Sequence, residues 1–230
     1  MLLVPPPLGG RPDSIFSDGS WGFMPLGRSS TAMNASPEGD GGTGPLRIGI
    51  IVGSTRPGRK AESVAKWVDE IAQKRTDAQF EIVDLKDYPL PLLDDPIPPS
   101  VGRPRPAHAR AWSEKVASLD AYVFVTPEYN HSVPGALKNA IDYLYGEWNN
   151  KAAGFVGYGS SGGTRAVEHL RLIMAELQVA TVRAGVYLLL ASDFENFREF
   201  KPTAGKEQSV STMLDQLVAW GRALRTVRSK

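Results

Sequence analysis

The chain reads as an α/β protein, a five-stranded parallel sheet of order 2-1-3-4-5 with helices on both faces, and three observations predict it. Short apolar, β-branched runs alternate with stretches of helical apolar spacing from residue 46 to the end. Glycine-rich loops follow the first and fourth of these runs and lead into helices, where backbone N–H groups can meet an anion. The most elaborate loop, Thr126 to Asn139, falls at the end of the third run. In an open parallel sheet that edge is the ligand crevice, and the first-loop position favours the order 2-1-3-4-5.

The elements follow in order. Met1 to Pro45 is dense in Gly, Pro, Ser and Asp without period, a composition that cannot bury enough to offset its ordering entropy, so residues 1–45 are expected to be a disordered tail ahead of a 46–230 domain. Leu46 to Val52 predicts a strand buried on both faces, and Val64, Ala65, Trp67, Val68, Ile71 and Ala72 mark the core side of a helix. Phe80 to Leu85 is the second strand, and Tyr88 to Arg105 a proline-rich connection too irregular for an element. A helix bearing Ala109, Trp112, Val116 and Leu119 leads to the Ala121 to Val125 strand. Pro134 suits the first turn of a helix over Ala136 to Leu144. Ala152 to Tyr158, Thr164 to Leu177, Val182 to Leu190 and Val210 to Val227 complete the alternation, with Asp193 to Lys206 a polar, aromatic surface excursion. Crossovers between parallel strands are expected to be right-handed.

Composition narrows the functions. The 230 residues hold 26 basic and 25 acidic side chains, a net charge of +1 that gives no reason to expect nucleic acid or a membrane surface as partner. There is no cysteine, hence no disulfide framework, thiolate metal site or thiol nucleophile, which suits a cytoplasmic protein. No apolar run approaches the length of a membrane span, and the start lacks the basic and apolar regions of a signal peptide. His108, His131 and His169 do not have the spacing of a helical metal site, so no metal is expected.

The first loop, Gly53-Ser54-Thr55-Arg56-Pro57-Gly58-Arg59-Lys60, offers backbone N–H groups, hydroxyls and a guanidinium ahead of a helix, the chemistry of a phosphate site. It nearly matches the spacing of a nucleotide-hydrolysing phosphate loop, but Arg59 stands where Lys is needed and Lys60 where Ser or Thr must hold the metal. The bland alternative is a solvated basic turn. The loop Gly157-Tyr158-Gly159-Ser160-Ser161-Gly162-Gly163 spells both a dinucleotide fingerprint and a nucleophile elbow. The first fails because no acid closes the next strand before Asp193, the second because His169, the one later histidine, lies within the following helix. A flexible backbone loop at a strand end remains. By the residues alone, Thr126 to Asn139 is a ligand loop or a plain turn before a capped helix.

Pro127-Glu128-Tyr129-Asn130, Pro134-Gly135 and Leu137-Lys138-Asn139-Ala140-Ile141-Asp142, with Gly53-Ser54-Thr55-Arg56 before them, resemble the NADPH-dependent FMN reductase family over roughly Leu46 to Val227. The resemblance implies a flavodoxin-like three-layer sandwich that binds FMN and takes NADPH or NADH as co-substrate. It implies that electrons pass through FMN to a quinone, azo compound, metal ion or free flavin, with no catalytic acid–base pair because the cofactor carries the chemistry. Carried over to this chain, the phosphate site is Ser54, Thr55, Arg56 and Ser63, although Ala61-Glu62-Ser63 departs from the Ser and Asn the family often has there. The isoalloxazine ring is expected against Pro127, Glu128, Tyr129 and Asn130, largely through backbone, and its pyrimidine side against Gly159, Ser160, Ser161 and Gly162. The family also implies a small-molecule electron acceptor and a homodimer or homotetramer. A one-electron flavodoxin-type carrier and a flavin enzyme of one biosynthetic pathway are the alternatives; flavodoxins are usually strongly acidic, and this chain is balanced.

Overall fold

The computed structural model describes residues 44–102 and 105–228. The expectation of a disordered tail therefore lies, apart from Gly44 and Pro45, outside the described residues. Strands β1 (Leu46–Val52), β2 (Ala78–Asp84), β3 (Ala121–Pro127), β4 (Lys151–Gly159) and β5 (Val179–Leu189) form one parallel sheet in the order β2-β1-β3-β4-β5. Helices α1 (Ala61–Ala72) and α5 (Lys206–Arg228) cover one face, and α2 (Ala107–Ala117), α3 (Gly135–Asp142) and α4 (Thr164–Glu176) the other.

The alternation of side chains along each strand sorts the core. Ile48, Ile50 and Val52 point to the face of α1 and α5, while Ile51 joins Phe124 and Phe155 under α2, α3 and α4. Trp112 and Trp148 are fully buried there, and their indole N–H groups donate to the Ala140 and Ile141 carbonyls at 2.7 and 3.3 Å. Burying each such ring stabilises the fold by about 1.5–3 kcal/mol. Because β1 lies between β2 and β3, strands β1 and β3 run out side by side, with Val52 opposite Val125, and their loops open next to each other.

Several expected bounds shift. The closing helix starts four residues earlier than Val210, and β5 starts at Val179. Arg47 is exposed on β1, so that strand is not buried at every position. The excursion after β5 is largely exposed, as expected, but it is not structureless: Phe194–Glu195 (β6) and Glu199–Phe200 (β7) form a hairpin, with Asp193 and Phe194 buried. Phe200 meets Trp67 of α1 edge to face at 5.3 Å, so apolar contacts fold the segment back onto the helix.

Candidate functional site

Three loops meet at the carboxyl edge of the sheet. The first leaves β1 at Gly53, whose N–H donates to the Val125 carbonyl at 2.8 Å. A Cβ at Gly53 would stand 2.9 Å from that oxygen and 3.0 Å from the Leu137 side chain, so only glycine lets the loop hug β3. Ser54 is fully buried; its hydroxyl accepts the Arg56 N–H at 3.4 Å and lies 3.1 Å from the Tyr129 hydroxyl. Thr55 and Arg56 are exposed, and Ser63, in the first turn of α1, donates its hydroxyl to the Lys60 carbonyl. The Lys60 side chain does not cap α1, and the positive end of the helix dipole faces the loop.

Arg59 takes a place that spacing alone did not assign. Its guanidinium turns inward, with a side chain only 4 % exposed, and donates to the Ser54 carbonyl at 2.5 Å and to both Asp84 oxygens at 2.8 and 2.5 Å. Glu62 accepts two further bonds. Burial opposes the guanidinium charge, but the bonds Arg59 donates to Asp84 and Glu62 outweigh it and raise the Arg59 pKa. Asp84, at the end of β2, is the signal that a pairing between neighbouring strand ends could have supplied.

The second loop is a two-residue hairpin. The Tyr129 N–H donates to the Ser132 carbonyl at 2.9 Å and the Ser132 N–H to the Tyr129 carbonyl at 3.1 Å, around Asn130 and His131 at φ 47° and 72°. Both turn residues are left-handed, as a type I′ turn requires, and Asn is among the residues that tolerate this. Pro127 ends β3 opposite Tyr158, and the Glu128 N–H extends the ladder to the Tyr158 carbonyl. The Glu128 side chain points away from solvent: its carboxylate pairs with the Arg165 guanidinium and accepts the Arg165 N–H at 3.1 Å, which caps α4 from outside the helix. Burial alone would raise its pKa, but the Arg165 contacts prevail and hold it below the usual carboxylate range.

The third loop is shaped by close backbone approach. A Cβ at Gly157 would sit 2.8 Å from the Gly162 carbonyl oxygen and one at Gly163, at φ 72°, 2.5 Å from the Tyr158 nitrogen, so these glycines bring the start of α4 onto β4. Gly159 and Gly162 are buried while Ser160 and Ser161 are exposed at the edge. The Tyr158 phenol reaches across to α1, where burial first of all pushes its pKa up and the Ala61 N–H faces its oxygen. His169, exposed on α4, brings its Nδ1 3.0 Å from the Ser132 hydroxyl and its ring 5.8 Å from that of His131. Its neighbour Arg171 stacks 4.8 Å over Phe155 and donates to the Val182 carbonyl. The proline-rich connection also gains an anchor: Asn139 bonds the Pro91 carbonyl and the Leu93 N–H, at 2.7 and 2.9 Å.

The expected residues therefore gather at one edge from three strands, joined by the Ser54–Tyr129 contact. The sequence model for NADPH-dependent FMN reductase matches residues 46–192. The chain belongs to this family. The fission yeast Schizosaccharomyces pombe has an NAD(P)H-dependent FMN reductase that is 38 % identical over 149 residues, 64 % of this chain and 74 % of the relative. A quinone reductase of Escherichia coli K12 is 30 % identical over 193 residues, 80 % of this chain and 97 % of the relative. The fold is similar to that of a flavoenzyme NAD(P)H:(acceptor) oxidoreductase of Paracoccus denitrificans, with TM-score 0.61 and 23 % identity over 77 % of this chain and 98 % of that one. This FMN reductase family member is an oxidoreductase that uses FMN and a reduced nicotinamide nucleotide, and its fold is flavodoxin-like.

FMN suits the residues present. The cradle at Gly53, the dipole at the start of α1 and the exposed Thr55 hydroxyl and Arg56 guanidinium match a phosphate, and a backbone hairpin one strand away offers main-chain groups to a ring. Among the described residues, no helix is long and apolar enough to cross a membrane.

Proposed function

We propose that this chain passes electrons from NADPH or NADH through FMN to a quinone, azo compound, metal ion or free flavin. In this reading Ser54, Thr55, Arg56 and Ser63 serve the phosphate, Pro127, Glu128, Tyr129 and Asn130 the ring, and Gly159, Ser160, Ser161 and Gly162 its pyrimidine side. The observation that carries it is the 3.1 Å contact between the Ser54 and Tyr129 hydroxyls, which ties a phosphate-type loop to a backbone hairpin on the adjacent strand. When bound, FMN supplies acceptance of hydride from the nicotinamide and release of electrons to the second substrate. The chain's own part is to orient and exclude water: Glu128 fixes the hairpin to α4 through Arg165, and the turn at Asn130 and His131 sets where the main-chain groups point.

We assign the protein to the cytoplasm, which its lack of cysteine suits, and to a homodimer or homotetramer, as the family resemblance implies. Steady-state turnover with NADPH and a panel of quinones, run beside free FMN as acceptor, tests the function. Multiple turnovers with at least one acceptor are expected; FMN bound but never reduced by NADPH or NADH would instead identify an electron carrier.

A further inference from the structure

We infer that Arg59, with Asp84 behind it, is the positioning residue that sets FMN affinity and its preference over riboflavin, without itself touching the phosphate. This rests on the FMN reading above. The guanidinium is almost fully enclosed, and its donors are committed: one nitrogen holds the Ser54 carbonyl and one Asp84 oxygen, a second the other Asp84 oxygen and Glu62, and Nε the same Glu62 oxygen. A charge so enclosed by two carboxylates offers little field to an anion beyond the loop. What it does offer is geometry.

Ser54 begins the turn whose Arg56 N–H bonds back to the Ser54 hydroxyl, and that hydroxyl meets Tyr129 on the flavin hairpin. Holding the Ser54 carbonyl from behind fixes the peptide plane that leads into Thr55 and Arg56, so these residues present their N–H groups and side chains in one arrangement. The bidentate clamp on Asp84 gives the guanidinium a single orientation, which a flexible ammonium could not take. Asp84 in turn is anchored at the end of β2, opposite Val52, and accepts the Lys86 N–H at 2.9 Å. The strut thus runs from the edge strand through Arg59 into the loop.

Positioning and charge make opposite forecasts. If Arg59 acted by its field, neutralising Asp84 would leave the loop more positive and tighten FMN. If it acts by holding Ser54, loosening the clamp weakens FMN and leaves riboflavin, which has no phosphate, largely unaffected. The test titrates flavin-free full-length protein with FMN and with riboflavin, following flavin fluorescence, in the parent, Arg59→Lys and Asp84→Asn, with melting temperatures measured alongside. Expected is a loss of FMN affinity of about tenfold or more in both variants, with riboflavin affinity held within about twofold. Equal losses for the two flavins, unchanged FMN binding in Arg59→Lys, or tighter FMN binding in Asp84→Asn would each overturn the inference. Should Arg59→Lys not fold, the direction of the change in Asp84→Asn still decides it. A parent protein that binds FMN and riboflavin equally would instead overturn the FMN reading on which the inference rests.

Discussion

At the scale of single residues, backbone conformation is the quantity the site depends on. Asn130 and His131 both sit at positive φ, which costs an L-residue with a branched Cβ more than it costs Asn or Gly. Asn130→Val should therefore destabilise the hairpin by about 1–3 kcal/mol and weaken FMN, while Asn130→Gly should leave both nearly unchanged. Calorimetry with a flavin titration checks this, and equal behaviour of the two variants would contradict it. Glu128 shows the complementary lesson. It stands in the word that marks the flavin loop, yet its carboxylate is taken by Arg165 and the start of α4, so its side chain is structural while its N–H extends the sheet.

At the scale of elements, the sheet order was legible because each strand–helix alternation left a period, and the position of the first loop fixed the switch in strand order. Three features were not legible. Phe194 and Phe200 gave no strand period because each partner strand is only two residues long, and burial against Trp67 rather than propensity folds them. Arg59 read as a mismatch to a phosphate loop because its meaning lies in Asp84, 25 residues on. Asn139 read as part of a family word, although its amide pins the Pro91 segment. The closing helix offers a test at this scale. Its Arg225 and Arg228 both reach Asp120 at the start of β3, whose carboxylate also accepts the Arg47 N–H at 2.9 Å. Burial disfavours that charge, but the arginine contacts prevail and lower its pKa, so its contribution is present above the ordinary carboxylate pKa and lost as pH falls through the folded value. Asp120→Asn should lower the melting temperature by roughly 3–10 °C at neutral pH and much less in strong acid. A loss of the same size at both would contradict this account.

At the scale of the whole molecule, the flavin-type loops gather at the carboxyl edge of the sheet and a buried cation lies at the opposite one. The amino edge holds Lys151, only 4 % exposed, whose ammonium donates to the Val116 and Ala117 carbonyls at 2.8 and 3.1 Å. Burial, aided by Arg228 and opposed by Asp120 and Glu147, lowers its pKa to about 7. Between that value and the unfolded one near 10.4 the unfolded chain binds more protons here, so this site makes stability rise with pH by about 1 kcal/mol per unit. The difference in unfolding free energy between the parent and Lys151→Met should change across pH 7 to 9 with that sign; a constant difference would contradict it. The carboxyl edge brings three loops to one place, with hydrogen bonds committed to shape rather than to an acid–base pair. On this reading the protein positions FMN and leaves the chemistry to it. Stopped-flow measurement of both half-reactions, reduction by NADPH and reoxidation by a benzoquinone, in Glu128→Gln and His131→Ala tests this most directly. Both variants are expected to load FMN and to keep the two rates within about fivefold of the parent, whereas a slowing on the order of a hundredfold confined to reoxidation in either variant would make that residue a general acid and refute the backbone role.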